Sequence, residues 1–229
     1  MNPEISIIIP TLNEEDSIRE TLRALENFAA ENIEIIVVDG GSDDSTLAIA
    51  QDFPVTILHS NANRGEQMRI GGAWASGKIL WFLHADTLPA PVCVGQIKRA
   101  LDDKFIVGGN FTIRFGGKST AANFMTWLYP KLQHLGLVYG DSAIFVRREI
   151  YEKIGGFKNL PLFEDIDLVE RLRREGKLIT LCGVVKTSSR RFEKRSFFLT
   201  FLRWTIFQVL YWFGVNPRQL AGYYYHIRR

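Results

Sequence analysis

The sequence predicts an α/β fold with a doubly wound, mostly parallel sheet, and three observations support this prediction. Continuous β-branched runs at residues 5–10 and 33–39 are typical of strands that are covered on both faces. The apolar residues between these runs fall on one helical face, which makes the unit βαβ. The alternation of strand and helix then continues as far as residue 86. Such an alternation favours right-handed crossovers between parallel strands.

The first predicted helix lies between these two strands. Its apolar face is formed by Ile18, Leu22, Leu25 and Ala29. We expect Asn13 and Asp16 to supply its N-cap and its acidic first turn, because short polar side chains and acids stabilise the N–H groups exposed there. The later elements of the alternation are predicted, in chain order, as a helix over about 44–51, a strand over 55–60, a helix over about 65–76 and a strand over 78–86.

The regular alternation ends after residue 86. The segments that follow are strand-like, helical and mixed, at 107–115, 121–133 and 140–148. We expect them to form a mixed C-terminal part of the sheet. Residues 195–215 have helical length and are rich in aromatic side chains. The expected organisation is therefore one domain at 1–194, extended by an aromatic-rich, apolar C-terminal helix and a basic tail at 195–229.

The composition excludes several classes of protein. The chain has 229 residues, of which 46% are hydrophobic, which is enough for one well-packed domain and short for two. Its net charge is only +3, and its cations are interspersed with acids until the C-terminal quarter, so we expect no binding to nucleic acid. The N-terminus has no signal-peptide pattern, and Cys93 and Cys182 lack metal-type spacing. The chain is therefore expected to be cytoplasmic, with reduced thiols.

Polar residues follow three of the predicted strands at the points where these strands end. The segments are 10–15, 39–46 and 84–86. The carboxyl ends of parallel strands lie at one edge of a sheet, where open α/β folds bind their ligands. Because side chains two apart on a strand point to the same side, His84 and Asp86 are expected to project together beyond this edge.

Several motifs, in order along the chain, resemble those of the family 2 glycosyltransferases with a GT-A fold, which is a Rossmann-like α/β fold. They are SIIIPTLNEE, IIVVDGGSDDST, GGAWASGKILWFLHADT and FEDIDLVERLRREGK. The segments NRGEQMRIGGAWASG, GDSAIFVRR and SSRRFE further resemble a short bacterial branch of this family, some members of which are linked with arsenosugar biosynthesis. The likeness covers about residues 4–192, and it is specific because the motifs occur together and in order.

The resemblance implies an inverting enzyme that moves one sugar from a nucleotide-diphosphate sugar to an acceptor hydroxyl, with UDP favoured over GDP by analogy. The processive members' Gln-x-x-Arg-Trp motif is missing, which argues for single-sugar transfer. The residues that the resemblance places at the nucleotide are Pro10, Thr11, Asn13, Glu14, Asp39, Arg64, Ala85, Asp86, Arg190 and Arg191. Asp39 would accept a hydrogen bond from a pyrimidine N–H, or it only caps the next helix. Arg64 would meet a phosphate, or it is a solvated surface charge.

His84-Ala85-Asp86 stands in the place of the family's Asp-x-Asp metal motif. The resemblance makes Asp86 the expected ligand of a divalent metal ion, Mn²⁺ or Mg²⁺, that bridges the diphosphate oxygens. His84 departs from the motif and is a second candidate ligand. An imidazole can bind Mn²⁺ but suits Mg²⁺ poorly, because Mg²⁺ prefers oxygen ligands. His84 would otherwise hydrogen-bond the ribose or orient Asp86.

Asp165, which follows Glu164, matches the family's Glu-Asp pair at the start of a predicted helix. The resemblance makes it the catalytic base, which takes the proton of the acceptor hydroxyl during attack. Acids in a first turn also stabilise any helix through its dipole, and this simpler account fits Asp167 well. Glu164, Gly140 and Asp141 are expected on the acceptor side, near the transferred sugar.

The predicted helix at 195–215 has no clean polar face, so it must be covered. The alternatives are its own domain, a homodimer interface, and the inner face of a membrane, where the acceptor would be lipid-linked rather than a small molecule. A bilayer crossing is disfavoured because Arg203 lies inside the stretch. The competing function is a non-catalytic protein or subunit that binds nucleotide sugars with the same fold.

Overall fold

The computed structural model describes residues 2–117, 119–134, 138–188 and 197–226. The described strands are β1 (Ile5–Thr11), β2 (Ile33–Asp39), β3 (Thr56–His59), β4 (Ile79–Phe82), β5 (Thr87–Pro89), β6 (Ile106–Phe115), β7 (Phe145–Arg147) and β8 (Lys177–Thr187). The described helices are α1 (Ile18–Glu26), α2 (Thr46–Gln51), α3 (Arg64–Trp74), α4 (Cys93–Ala100), α5 (Thr120–His134), α6 (Arg148–Lys153), α7 (Glu164–Leu172), α8 (Phe197–Trp212) and α9 (Pro217–His226). A short 3₁₀ helix spans Gly140–Ser142.

The described strands form one sheet in the order β3-β2-β1-β4-β7-β6-β8-β5. β1 pairs in parallel with β2 and β4, and β2 pairs in parallel with β3. β7 runs antiparallel to both β4 and β6, so the second half of the sheet is mixed. The predicted α/β class, with parallel strands first and a mixed C-terminal part, is therefore confirmed.

Helices cover both faces of the sheet, and the alternation of side chains along β1 divides the core between the faces. Ile5, Ile7 and Ile9 pack with the apolar face of α1. Ile8 points the other way and packs with residues of α3 and α7. α3 lies directly on β1 because Gly71 has no side chain. A Cβ at this position would lie only 2.4 Å from Cγ2 of Ile8. The glycine thus lets α3 approach the strands whose ends form the candidate site.

The first helix begins later than predicted. α1 starts at Ile18, its N-cap position is Ser17, and Asp16 precedes the helix rather than forming its first turn. Asn13 does not cap the helix: it has a φ of 55°, and its Oδ1 accepts a hydrogen bond from the N–H of Asp43 at 3.0 Å. The prediction was wrong because the side chain of Asn13 links the loop after β1 to the loop after β2.

Two further element ends differ from the predictions. α1 ends at Glu26, so Ala29, which was expected to be buried, is exposed. Phe28 is buried instead. β4 ends at Phe82, well before the predicted end at residue 86. β5 and β8, which pair with each other, were not predicted. A strand as short as β5 depends on its partner, whose paired residues follow about 100 residues later, and it leaves little local pattern.

α8 packs against the rest of the chain on one side. Oη of Tyr139 donates a hydrogen bond to Oε1 of Gln208 at 2.6 Å, and the ring of Tyr211 stacks on Phe163 with centroids 4.9 Å apart. None of the described helices is both long enough and apolar enough to cross a membrane. The opposite side of α8 exposes Leu202, Ile206 and Leu210, and Phe213, which directly follows the helix, is also exposed.

Candidate active site

The carboxyl ends of β1 and β2 lie side by side, with Thr11 opposite Asp39 and Pro10 opposite Val38. Gln67, near the start of α3, is buried and donates hydrogen bonds from Nε2 to the carbonyl oxygens of Thr11 and Val38, both at 2.8 Å. This amide joins the two strands where they end. The predicted nucleotide residues Pro10 and Thr11 are thereby held at the edge of the sheet.

Asp39 is fully buried, and its carboxylate is hydrogen-bonded within its own loop. The N–H groups of Gly41 and Ser42 donate to Oδ2 at 2.9 Å each, and the hydroxyl of Ser42 donates to Oδ1 at 2.5 Å. Oγ1 of Thr11 donates to Oδ1 at 3.3 Å. The alternative that Asp39 caps the next helix is wrong, because these donors precede α2. Asp39 organises the loop after β2, and its contact with a base stays a prediction.

The loops after β1 and β2 are joined by further hydrogen bonds. The N–H of Asn13 donates to Oγ of Ser42 at 2.9 Å, and the N–H of Glu14 donates to Oγ1 of Thr46 at 2.7 Å. The carboxylate of Asp44 in turn accepts the N–H of Thr46 at 2.9 Å. The two segments that carry the predicted nucleotide residues therefore form one connected rim.

The segment after β4 brings His84 and Asp86 against different elements. Because β4 ends at Phe82 and a turn follows, the alternation of a strand does not extend to these residues. Nδ1 of His84 lies 3.3 Å from Oδ1 of Asp141 in the 3₁₀ helix. Asp86 instead accepts a hydrogen bond from Oγ1 of Thr187, at the end of β8, at 3.4 Å. The two residues therefore have different partners, and the strand geometry behind the expected shared direction is absent.

Asp86 lines a cavity of about 310 Å³, which we call the acidic cavity. The turn that carries Asp86 is fastened to α1, since the hydroxyl of Thr21 donates to the carbonyl oxygen of Ala85 at 2.8 Å. Arg190 and Arg191, which were predicted at the diphosphate, lie outside the described residues. The other polar lining residues of the acidic cavity are Asp16, Ser17, Glu20, Thr21, Lys186, Thr187 and Ser188.

Asp165 is the second residue of α7, and two backbone groups hold its carboxylate. The N–H of Gly140 donates to Oδ2 at 2.6 Å, and the N–H of Ile166 donates to Oδ1 at 2.8 Å. The residue is only 7% exposed. A Cβ at position 140 would lie 3.1 Å from Oδ2 of Asp165 and 3.5 Å from Nε2 of His84, so glycine permits this approach. The structure thus brings Gly140 and Asp165 together and places His84 beside them.

Arg64, the first residue of α3, reaches the start of α7. Its Nε donates a short hydrogen bond to Oε1 of Glu164, and its Nη2 lies 3.9 Å from Oδ2 of Asp165. Burial lowers the pKa of Arg64, but the carboxylates of Glu164, Asp165 and Asp141 outweigh it and raise the pKa well above its ordinary value. Burial raises the pKa of Glu164, although the charge of Arg64 opposes this. Arg64 is therefore an ion-paired residue and not a solvated surface charge, and its contact with a phosphate stays a prediction.

A second cavity, of about 400 Å³, is lined by this charged cluster, and we call it the aromatic cavity. Its charged lining residues are Arg64, Asp141 and Asp165. Most of the remaining lining is aromatic or aliphatic and comes from α5, from α8 and from the loop before α7. α8 therefore forms one wall of the candidate site, beside the predicted catalytic base.

Comparison with known proteins identifies the family. The family model described as glycosyl transferase family 2 matches residues 6–155, which is more than half of the chain. The chain belongs to glycosyl transferase family 2. This family 2 chain is 28% identical over 200 residues to a probable glycosyltransferase, YdaM, of Bacillus subtilis (strain 168). The match covers 76% of the chain and 47% of YdaM, so the chain spans about half the length of that relative.

Solved glycosyltransferase structures resemble the family 2 chain in fold. Staphylococcus aureus TarS, in complex with UDP-GlcNAc, has a TM-score of 0.66 at 17% identity, covering 82% of this chain and 59% of that one. Glucosyl-3-phosphoglycerate synthase of Mycobacterium tuberculosis, in complex with Mn²⁺, UDP and glucosyl-3-phosphoglycerate, has a TM-score of 0.59 at 23% identity, covering 81% and 70%. At such identities the likeness establishes the fold alone. It confirms the predicted GT-A fold.

Asp86 is the carboxylate that the sequence predicts as a ligand of a divalent ion, and its surroundings test this role. The described residues contain no group of three or more His, Cys, Asp or Glu side chains that could hold a metal ion. Mg²⁺ is commonly bound by one or two carboxylates together with substrate phosphates and water. Asp86, a half-buried carboxylate that lines a cavity, fits such a ligand. His84 lies against Asp141, which suits a positioning role at least as well as ligation.

Several polar residues of the site were not found from the sequence. Gln67 joins the strand ends, Gln208 ties α8 to the 3₁₀ helix through Tyr139, and Tyr129 lines the aromatic cavity. Tyr129 shares a helical face with Met125, so the sequence signals only that this face of α5 is buried. A polar atom on such a face becomes informative only when its partners are known.

Arg64→Met is expected to lower the free energy of unfolding by about 2 kcal/mol, because it leaves the carboxylate of Glu164 buried without its partner. This loss of stability is smaller than the loss expected on breaking a fully buried ion pair, because the side chain of Arg64 is 36% exposed. Removing the cation raises the pKa of Glu164 further. The folded variant therefore binds a proton more tightly, and the loss should shrink as the pH falls toward about 4.3, the ordinary pKa of Glu.

Urea unfolding at several pH values measures this effect. Arg69→Met is the matched control, because Arg69 lies on the same helix and pairs with Glu66 while 47% exposed. We expect it to cost less than about 1 kcal/mol. Equal losses in the two variants would contradict the buried pairing of Arg64.

Proposed function

We propose that this chain transfers one sugar from a nucleotide-diphosphate sugar to an acceptor hydroxyl, with inversion at the anomeric carbon. One observation carries the proposal. The buried carboxylate of Asp165 is fixed by two backbone N–H groups in the wall of a cavity. It also lies next to the turn that carries His84 and Asp86. Membership of glycosyl transferase family 2 supports the same reaction class.

The proposed reaction is a single displacement that needs a base on the acceptor side. The acceptor oxygen attacks the anomeric carbon while Asp165 takes the proton of the hydroxyl. The bond from that carbon to the diphosphate oxygen breaks, and the nucleoside diphosphate leaves with the electron pair. Attack from the face opposite the leaving group inverts the configuration. Each oxygen of Asp165 accepts one backbone N–H, which fixes the carboxylate and still leaves a lone pair for the proton.

The donor is proposed to bind beside the turn after β4, on the side of the acidic cavity. His84 and Asp86 are two residues apart, so their Cα atoms are separated by no more than about 7 Å. His84 also contacts Asp141, whose neighbour Gly140 bonds to Asp165. A sugar bound beside this turn would therefore lie between Asp86 and Asp165. Asp86 would hold Mn²⁺ or Mg²⁺, which neutralises the charge of a diphosphate when it is bound.

The base of the nucleotide, with UDP favoured, is proposed to lie at the strand ends near Thr11 and Asp39. Arg190 and Arg191 are proposed to contact the diphosphate, because a planar guanidinium matches the geometry of phosphate oxygens. Single-sugar transfer within the branch linked with arsenosugar biosynthesis is the finer form of the proposal. It rests on the motifs NRGEQMRIGGAWASG and GDSAIFVRR.

A thermal-shift screen with a turnover assay tests the proposed function. UDP, GDP and their common sugar conjugates are added with Mn²⁺ or Mg²⁺, and a ligand that binds the native state raises the Tm. We expect a rise with a UDP-sugar and Mn²⁺, and slow release of UDP from it by hydrolysis. A non-catalytic binding protein would show the rise without any release of UDP. No rise with any nucleotide would reject both functions.

The outer face of α8 is proposed to be covered by a second copy of the chain, with a membrane as the alternative partner. Ile206, on this face, is 48% exposed, and Phe213, directly after the helix, is 82% exposed. The double variant Ile206→Ser with Phe213→Ser is expected to turn a dimer into a monomer in light scattering. If the partner is a membrane, the same variant would no longer float with anionic liposomes. An unchanged chain that is monomeric and ignores such liposomes would contradict both alternatives.

A further inference from the structure

The aromatic cavity contains a buried hydroxyl group that the fold does not use. Tyr129 lines this cavity and is 4% exposed, and its Oη has no hydrogen-bond partner among the residues that the structure describes. Its ring is held without the hydroxyl, with centroids 5.5 Å from Phe115 and 5.7 Å from Tyr139. A buried hydroxyl without a partner costs stability. Its presence in a cavity therefore points to a bound group.

The hydroxyl belongs to a residue that lines the same cavity as Arg64, Asp141 and Asp165. Burial raises the pKa of Tyr129 well above its ordinary value, and the carboxylate of Asp141 adds to this effect. The carboxylate of Asp165 raises the pKa of Tyr129 further, whereas the charge of Arg64 lowers it. The phenol therefore stays protonated at neutral pH and can donate a hydrogen bond to a ligand that has reached Asp165.

Most of the remaining lining is apolar, and its other polar residues are Tyr139, Thr205 and Gln208. The apolar lining residues include Met125 and Leu132 of α5, Trp204 and Val209 of α8, and Phe163 of the loop before α7. A ligand that carries hydroxyl groups on every side, such as a free sugar, would leave many of them without hydrogen-bond partners beside these apolar side chains. An apolar body of matching size would instead be stabilised by its burial. The volume of about 400 Å³ lies within the range of small-molecule sites.

We propose that the acceptor is an amphiphile, with a hydroxyl-bearing polar end and an apolar body. The polar end lies between Asp165 and the hydroxyl of Tyr129, and the apolar body fills the cavity between α5 and α8. The role of acceptor rests on the proposed function, whereas the binding of an amphiphile does not. A free sugar or another fully polar acceptor is excluded by this proposal.

Calorimetry without any donor tests the binding of the amphiphile. The probe is octyl β-D-glucoside below its micelle concentration, and methyl β-D-glucoside is the polar control with the same head group. We expect the octyl compound to bind at least tenfold more tightly, because each buried CH₂ contributes about 0.8 kcal/mol at most. Equal or absent binding of the two compounds would overturn the proposal.

Tyr129→Phe separates a binding role from a structural one. The variant keeps the ring and removes the unpaired hydroxyl, so the Tm should stay the same or rise. Binding of octyl β-D-glucoside should weaken about fivefold, which corresponds to one lost hydrogen bond. A lower Tm with unchanged binding would show that the hydroxyl only supports the fold, and it would overturn the proposal.

A matched pair of substitutions on α8 locates the probe. Val209 and Leu210 are 39% and 36% exposed, but only Val209 lines the aromatic cavity among the described lining residues. Val209→Trp should obstruct the cavity and weaken binding at least tenfold, and Leu210→Trp should leave it unchanged. If Val209→Trp has no effect, or if both substitutions weaken binding equally, the probe does not occupy the aromatic cavity and the proposal is overturned.

The failure of this proposal can be distinguished from the failure of the proposed function. Binding of the octyl compound with no turnover of any nucleotide sugar would reject the transferase function and leave the amphiphile site intact. Sugar transfer to methyl β-D-glucoside as fast as to the octyl compound would support the transferase function and overturn the amphiphile as its acceptor.

Discussion

Asp165→Asn is expected to bind the nucleotide sugar like the unchanged protein and to transfer sugar about 10²- to 10⁴-fold more slowly. Asn keeps the size and shape of the side chain but cannot accept the proton of the acceptor hydroxyl. A fall in kcat at unchanged donor affinity is the sign of an interaction made only in the transition state. Calorimetry with the donor and single-turnover transfer measure the two quantities separately.

The same substitution also has a structural cost that must be measured. Both oxygens of Asp165 accept backbone N–H groups, from Gly140 and from Ile166. Asn offers one acceptor oxygen, so one of these N–H groups loses its partner. We expect a loss of about 1–3 kcal/mol in the free energy of unfolding. Transfer is therefore assayed well below the Tm of the variant, where the folded fraction is unchanged.

Asp167→Asn is the matched control for the helix-dipole account. Asp167 lies in the same first turn of α7, but it pairs with Lys158 at 2.8 Å and with Arg171 at 2.6 Å. We expect this variant to transfer sugar at close to the normal rate. Equal losses in the two variants would reduce Asp165 to a helix-stabilising acid. Near-normal turnover in Asp165→Asn would move the role of the base to Asp141.

The first half of the fold could be predicted because its signals are local. The strands at β1 and β2 are continuous β-branched runs, and their observed bounds, Ile5–Thr11 and Ile33–Asp39, lie within one residue of the predicted ones. The helix between them buries Ile18, Leu22 and Leu25, as its pattern indicates. These signals depend on neighbouring residues within one element, where the period of the pattern is sufficient.

The loops could not be predicted in the same way, because their hydrogen bonds join distant segments. Asn13 was expected to cap α1, yet its partners are Ser42 and Asp43, about 30 residues away. Asn has an intrinsic preference for N-caps, and here a tertiary contact overrides it. The turn after β4 likewise depends on Thr187, with which Asp86 shares a hydrogen bond across 101 residues.

The candidate site shows the same division. Asp165 could be found from a motif, because Glu-Asp at a helix start is a local pattern that matches the family. Its surroundings could not, because Arg64 and Glu164 are 100 residues apart and meet only through the packing of α3 against α7. The role of the Tyr129 hydroxyl is even harder to predict from the sequence, because it depends on the absence of a hydrogen-bond partner among the described residues.

Asp86→Ala is expected to remove the dependence of nucleotide binding on a divalent ion. UDP should bind the unchanged protein more tightly with Mn²⁺ than with a chelator, because the ion would link the diphosphate to the carboxylate of Asp86. Loss of a residue that only supports a metal ligand typically weakens metal binding about 10- to 100-fold, so loss of the ligand itself should cost at least tenfold. Calorimetry with UDP, with Mn²⁺ and then with the chelator, measures this difference.

Asp39→Ala is the control that separates the metal from the nucleotide. It should weaken the binding of UDP, because Asp39 organises the loop after β2 through the N–H groups of Gly41 and Ser42. Its binding should still respond to Mn²⁺, since Asp39 is buried at the end of β2 and does not line the acidic cavity that contains Asp86. If Asp86→Ala instead binds UDP with an unchanged response to Mn²⁺, the ion is held elsewhere, and His84, which lies against Asp141, becomes the next ligand to replace.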